Sequence, residues 1–203
     1  MKKILEKDSL KNYYQLLQPS HPHLVTTLNA NATLNVAPFS WLFPVSSDPP
    51  IIALSLLTMP KKQDTLLNIE RTWQFGVNVA DADMAQMLIK ASFNYPQEVS
   101  KFEVLKLNLE KPVLIEAGLI QECRVNLECK VQKMELIGDH TLIIADVVVA
   151  HFDKQLFNEE LELDLEEVQP CLHLKKYIKQ KGQRHVFLTG YKKIVVEEDY
   201  PEI

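Results

Sequence analysis

The chain has 203 residues, 46% hydrophobic and 24% charged, with a formal net charge of -5. That length suits one well-buried domain over residues 1–203 and is short for two, and the acidic balance disfavours nucleic acid as a partner. Cys123, Cys129 and Cys171 are too few, and odd in number, for a disulfide framework, which fits a reducing compartment. No apolar run approaches the roughly 20 residues that span a bilayer, so no membrane role is expected. Charges at Lys2, Lys3, Glu6, Lys7 and Asp8 interrupt any secretory signal core, so the cytoplasm is the expected location.

In chain order, residues 1–19 predict a short helix or arm ended by Pro19. Leu24–Leu28 and Thr33–Val36 predict a hairpin around the turn-like residues 29–32. Ser46-Ser47-Asp48-Pro49-Pro50 is a Pro-rich turn, and the apolar run Ile51–Leu57 is the next strand. Asp64 has the chemistry of a helix N-cap, opening a helix through Asn68 toward Arg71. Thr72–Val79 alternates as a strand, and Met84, Met87, Leu88 and Ala91 recur at helical spacing up to about Phe93. Residues 96–119 predict a long irregular excursion, a feature often tied to function.

Gln121–Val131 alternates most clearly: Cys123, Val125, Leu127, Cys129 and Val131 on one face, Glu122, Arg124, Asn126, Glu128 and Lys130 on the wet one. The two cysteines read there as small core residues. Gly138-Asp139 predicts a hairpin turn into Thr141–Val149, a strand apolar enough to need cover on both faces. The acidic run from Glu159 to Glu167 predicts a solvated loop. Cys171–Gln180 predicts a short helix, Val186–Leu188 a late edge strand, and Glu197-Glu198-Asp199 a frayed tail. Hairpins and strands joined by turns predict a mainly β fold with peripheral helices: a six-stranded antiparallel barrel open on one side.

Residues 35–68 bring a polar strand end, a strand, Lys61, Lys62 and a helix start to one place, the group types a phosphate monoester requires. There is no Gly-rich loop for a P-loop or Rossmann site. His21-Pro22-His23 lacks further metal ligands at convincing spacing, and no Ser/His/Asp set or acid pair points to a hydrolase.

Asn35-Val36-Ala37-Pro38 with Ser40, Ser47-Asp48-Pro49-Pro50, Lys62 through Asp64-Thr65, and Asn68-Ile69 follow one another in that order. Lys101-Phe102-Glu103, Glu122-Cys123 and Gly138-Asp139-His140-Thr141 come after them. Over about residues 20 to 155 this series resembles the flavin reductase-like and flavoredoxin family of FMN-binding split barrels. The resemblance implies FMN held around Asn35, Val36, Ala37, Pro38 and Ser40, with Ser55, Lys62, Thr65 and Asn68, and with Ala37-Pro38 against the ring system. It implies a homodimer with flavin sites near the subunit boundary. It also implies that His140, otherwise an ordinary turn residue, guides NAD(P)H toward the flavin. Two functional classes follow. One is an NAD(P)H:flavin oxidoreductase that passes electrons to free flavin or a redox partner protein. The other is a non-enzymatic, flavoredoxin-like carrier or FMN-binding protein. A barrel that has lost its ligand is the bland third reading.

Overall fold

The computed structural model describes residues 2–96, 98–164, 166–178 and 182–188. Its centre is a seven-stranded antiparallel sheet built from β1 (His23–Leu28), β2 (Leu34–Phe39), β3 (Leu42–Ser47), β4 (Pro50–Leu57), β5 (Gln74–Val79), and two long strands. With β6 (Leu109–Glu110) and β7 (Leu119–Ile120) forming a separate small pair, those long strands are β8 (Val125–Ile137) and β9 (His140–Phe152). The order is β2-β1-β5-β8-β9-β4-β3. Three strands separate β1 from β4 in that order, yet Val25 and Leu54 belong to one apolar cluster with Phe75, Val77 and Ile143. The sheet is therefore rolled into a barrel, left open between β2 and β3. Each large side chain buried there contributes about 1.5–3 kcal/mol.

The expected open antiparallel barrel is present. The strand beyond the predicted six is β3, where Phe43 and Val45 alternate ahead of the Pro-rich turn. The hairpin around residues 29–32 forms with Val25 opposite Ala37. Gly138 takes a left-handed φ of 62° in the two-residue turn between Ile137 and His140, the conformation glycine adopts without a Cβ clash.

Helix α1 (Asp64–Thr72) closes one end of the barrel through Leu66 and Ile69. Its cap position is Gln63, not Asp64; Asp64 is the first helical residue, where its charge still suits the helix dipole. A second apolar cluster lies on the outer side of β1 and β2. Leu24 and Val36 meet Leu88 and Ala91 of α2 (Ala85–Ala91) and Phe102 and Leu105 of α3 (Lys101–Leu105). The region expected to be irregular, 96–119, thus contains α3 and β6, because Phe102 and Leu105 share one helical face against β2.

Two further expectations are corrected. Residues Leu172–Ile178 form a strand, β10, paired with β11 (Gly182–Leu188), where a helix was expected. An available antiparallel partner decides the state of a short segment. Cys123 precedes β8 rather than sharing a strand face with Cys129, and the two thiols lie in different apolar clusters. All three cysteines are buried and free; burial, followed by nearby Glu122, pushes the Cys123 thiol up to about 12. The N-terminal arm is a 3-10 helix, Lys7–Leu17, with no buried residue. The frayed tail expected at Glu197–Asp199 lies outside the described residues. Among the described residues no helix is long and apolar enough to cross a membrane.

Candidate functional site

A cavity of about 680 Å³ opens where β2, the start of α1 and the α2–α3 connection converge. Asn35, Ala37 and Pro38 line it from β2, and Lys61, Lys62, Gln63, Asp64 and Thr65 from the entry to α1. Phe93, Tyr95 and Lys101 complete the wall. The free N–H groups of the first turn of α1 and two lysines give one part of this wall a positive character.

The wall is held by a buried polar network. Thr27 faces Asn35 across the β1–β2 ladder. Asn35 Nδ2 donates to Thr27 Oγ1 and to Thr65 Oγ1, both at 3.2 Å. Asn68 Nδ2 donates to the same Thr27 oxygen at 3.0 Å and to Asn29 Oδ1 at 2.8 Å. Two strands and one helix are tied together by amides whose partners are all internal, so the register of β2 against α1 is fixed. The Thr65 hydroxyl accepts from Asn35 and lies in the cavity lining.

The predicted residues therefore divide. Asn35, Ala37, Pro38, Lys62 and Thr65 line the cavity. Asn68 stands behind it in the network. Val36 turns its side chain into the outer core, while its carbonyl accepts a hydrogen bond from Lys101 Nζ at 3.0 Å. Ser40 and Ser55 are not in the lining; the Ser55 N–H donates to the Trp41 carbonyl at 2.9 Å. His140 begins β9 opposite Leu57, away from the cavity lining. Its ring stacks on Trp41 with centroids 4.7 Å apart, and its Nδ1 lies 2.7 Å from an Asp139 carboxylate oxygen. Lys62 Nζ is paired with Glu70 at 2.6 and 2.8 Å on the surface.

Two residues escaped the sequence reading. Lys101 is only 8% exposed, and besides Val36 its Nζ donates to the Ala91 carbonyl at 3.2 Å, with the Tyr95 ring centroid at 5.6 Å. Burial pushes its ammonium below the ordinary lysine value, against a smaller opposing pull from Asp64. Glu128, expected on the wet face of its strand, is fully buried. Leu127, Cys129 and Val131 still pack on the barrel core, but residues 113–120 cover the opposite face and bury Glu128 together with Asn126, whose Nδ2 donates to the Ile120 carbonyl at 2.9 Å. The Glu128 carboxylate accepts from the N–H groups of Val113, Leu114 and Ile115 at 2.7, 2.6 and 3.0 Å. His151 Nε2 lies 2.7 Å from it. Burial opposes ionisation there, but these hydrogen bonds outweigh it and hold the carboxyl below the usual range.

A rolled, open antiparallel barrel with a cavity between its second strand and first helix is the architecture of split-barrel flavoproteins. A family model for the flavin reductase like domain matches residues 17–177, and the chain belongs to that family of flavin-linked oxidoreductases. An uncharacterized protein of Aquifex aeolicus is 28% identical over 163 residues, covering 78% of this chain and 83% of the relative. Nitrilotriacetate monooxygenase component B from Bacillus cereus superposes with a TM-score of 0.82 at 20% identity, over 97% of this chain and 99% of the other. Flavoredoxin of Desulfovibrio vulgaris (Miyazaki F) superposes at 0.76 with 19% identity, over 97% of each chain. At those identities the two structures speak for the fold.

Proposed function

We propose that this chain binds FMN in the cavity beside α1 and reduces it with NAD(P)H, passing the electrons to free flavin or a partner protein. The observation that carries this reading is one cavity that joins the cationic entry to α1 with the Ala37–Pro38 backbone of β2. The residues present fit the group. Lys61, the first-turn N–H groups of α1 and Thr65 suit the terminal phosphate, and Lys62 joins them if it leaves Glu70. Ala37 and Pro38 are small and flat enough for an aromatic ring to lie along β2. Among the described residues no second cationic cluster lines the cavity for an adenine nucleotide, which favours FMN over FAD. Bound flavin supplies the hydride-accepting chemistry; the chain supplies orientation and electrostatics.

Leu142 and Ile144 on β9 are only half-buried, and a second copy in a twofold dimer would cover that face. His140 does not line the cavity of its own chain, so a role in guiding nicotinamide needs a second copy to bring it there. The test is anaerobic mixing of the FMN-loaded protein with NADH or NADPH. Rapid, saturable bleaching is expected. Reduction by dithionite but by neither nicotinamide would turn the reading to an electron carrier. Changing Lys62→Ala and Thr65→Ala together should weaken FMN binding by a few kcal/mol, as charge-assisted hydrogen bonds contribute roughly 1.5–3 kcal/mol each. Unchanged affinity would remove the phosphate from that end of the cavity.

A further inference from the structure

We propose that Lys101 is the cavity's fixed positive charge for the reduced flavin: it stabilises the negative charge that reduction places on the ring and so raises the flavin's reduction potential. The inference rests on the FMN reading above and adds a residue and a role to it.

Lys101 lines the cavity, yet it is more than nine-tenths buried. An ammonium has three N–H donors. Two of them go to carbonyl oxygens, of Val36 on β2 and of Ala91 at the last residue of α2. Carbonyls orient a cation without neutralising it. Among the described residues no carboxylate lies within ion-pair distance of this ammonium; the Asp64 carboxylate acts on it only at longer range. A buried charge without a counterion is costly, and proteins keep one where a charge of opposite sign arrives from elsewhere. The other cavity lysines differ. Lys61 and Lys62 are exposed, and Lys62 is already paired with Glu70. They come from the entry to α1, whereas Lys101 is fastened to the residue before Ala37–Pro38, the segment assigned to the ring.

Hydride transfer from NAD(P)H delivers two electrons and one proton and releases NAD(P)+. One negative charge is then left in the cavity unless a second proton follows. Lys101 meets that charge already desolvated and already oriented, with no rearrangement at the moment of transfer. A cation on the Ala91 carbonyl also complements the C-terminal end of α2. That purely structural role would leave the flavin potential alone, so the potential separates the two.

The experiment compares the FMN-loaded wild type with Lys101→Met and Lys101→Arg, reading the midpoint potential and the affinities for oxidised FMN and riboflavin. Lys101→Met should lose at least tenfold in affinity for reduced relative to oxidised flavin, a fall of about 30 mV for a two-electron couple. Lys101→Arg should recover most of it. In the wild type alone, the pH dependence of the potential near neutrality should show one proton taken up per two electrons. Uptake of two protons overturns the proposal even if Lys101→Met does not fold. An unchanged potential in Lys101→Met also overturns it. So does a loss confined to FMN, with riboflavin unaffected, which would make Lys101 a phosphate contact. Failure of the wild type to bind FMN overturns the cavity reading and this inference with it, whereas FMN binding with an unchanged potential overturns the role of Lys101 alone.

Discussion

Glu128 and Lys101 are both charged side chains inside the protein, and they are treated in opposite ways. Glu128 is fully buried and surrounded by donors: three consecutive backbone N–H groups and His151. Its charge is spent within the fold, where it pins residues 113–115 to the barrel wall. Lys101 is nearly as buried but leans on two carbonyls beside an open cavity. A satisfied buried charge holds structure together, whereas one without a counterion marks where charge enters from outside.

The sharpest way to break this contrast is Glu128→Ala. Three amides and an imidazole would lose their acceptor together, and breaking a buried pair of this kind costs about 3–5 kcal/mol. Urea denaturation checks it, and a loss below about 1 kcal/mol would show that Glu128 is not a fastening.

Acid titration comes next and separates two groups. Burial, with nearby His21 second, holds the His23 imidazole down at about 4, below its ordinary 6.5. The unfolded chain then binds a proton that the folded chain refuses, so stability falls as pH drops from 6.5 through 4, by on the order of 3 kcal/mol. Glu128 acts lower on the scale. Its folded carboxyl lies below the ordinary value of 4.5, so its contribution is present above that pH and lost as the pH falls beneath it. Denaturation curves across pH should lose the upper slope in His23→Gln and the lower slope in Glu128→Gln. Coincident curves for the variants and the wild type would refute both assignments.

Lys101→Met should have a smaller effect on the flavin-free protein, less than about 1 kcal/mol, because the desolvation cost removed offsets the two hydrogen bonds lost. A loss as large as that of Glu128→Ala would make the two charges equivalent and end the contrast. The smallest effect is expected at the surface. The Lys62–Glu70 pair is partly exposed, with side chains 43% and 34% accessible, and Glu70→Ala should shift stability by under about 0.5 kcal/mol.

The same pair of charges shows how far the sequence could be read. The hairpins, the helix after Asp64 and the barrel were legible because alternation, prolines and the Gly138-Asp139 turn are local signals. The cavity was legible at Asn35, Ala37, Pro38, Lys62 and Thr65 because these belong to a recognisable series of motifs. Glu128 was misread because residues 113–115 cover its face of the strand, and alternation within a strand does not show what packs on that face. Lys101 stood inside the Lys101-Phe102-Glu103 motif without a role, since its ammonium is held by the carbonyls of Val36, 65 residues away in the chain, and of Ala91. His140 sat where the hairpin predicted, but its neighbour Trp41 comes from the turn before β3, which no local pattern revealed.

The open side of β3 sets how molecules of this chain can adhere to one another. Phe43 and Val45 are about half exposed there, a composition that invites a foreign strand. The bond from Ser55 N–H to the Trp41 carbonyl sets the ladder's alternation, which turns the Pro44 nitrogen outward, where it has no hydrogen to offer. The register then slips between Pro44 and Ser46. An incoming strand thus meets a missing donor and a kink at the point where docking would begin. Pro44→Thr would restore the donor, and the edge beside Phe43 and Val45 would become a seed for aggregation instead of a greasy surface that only a folded face can press against.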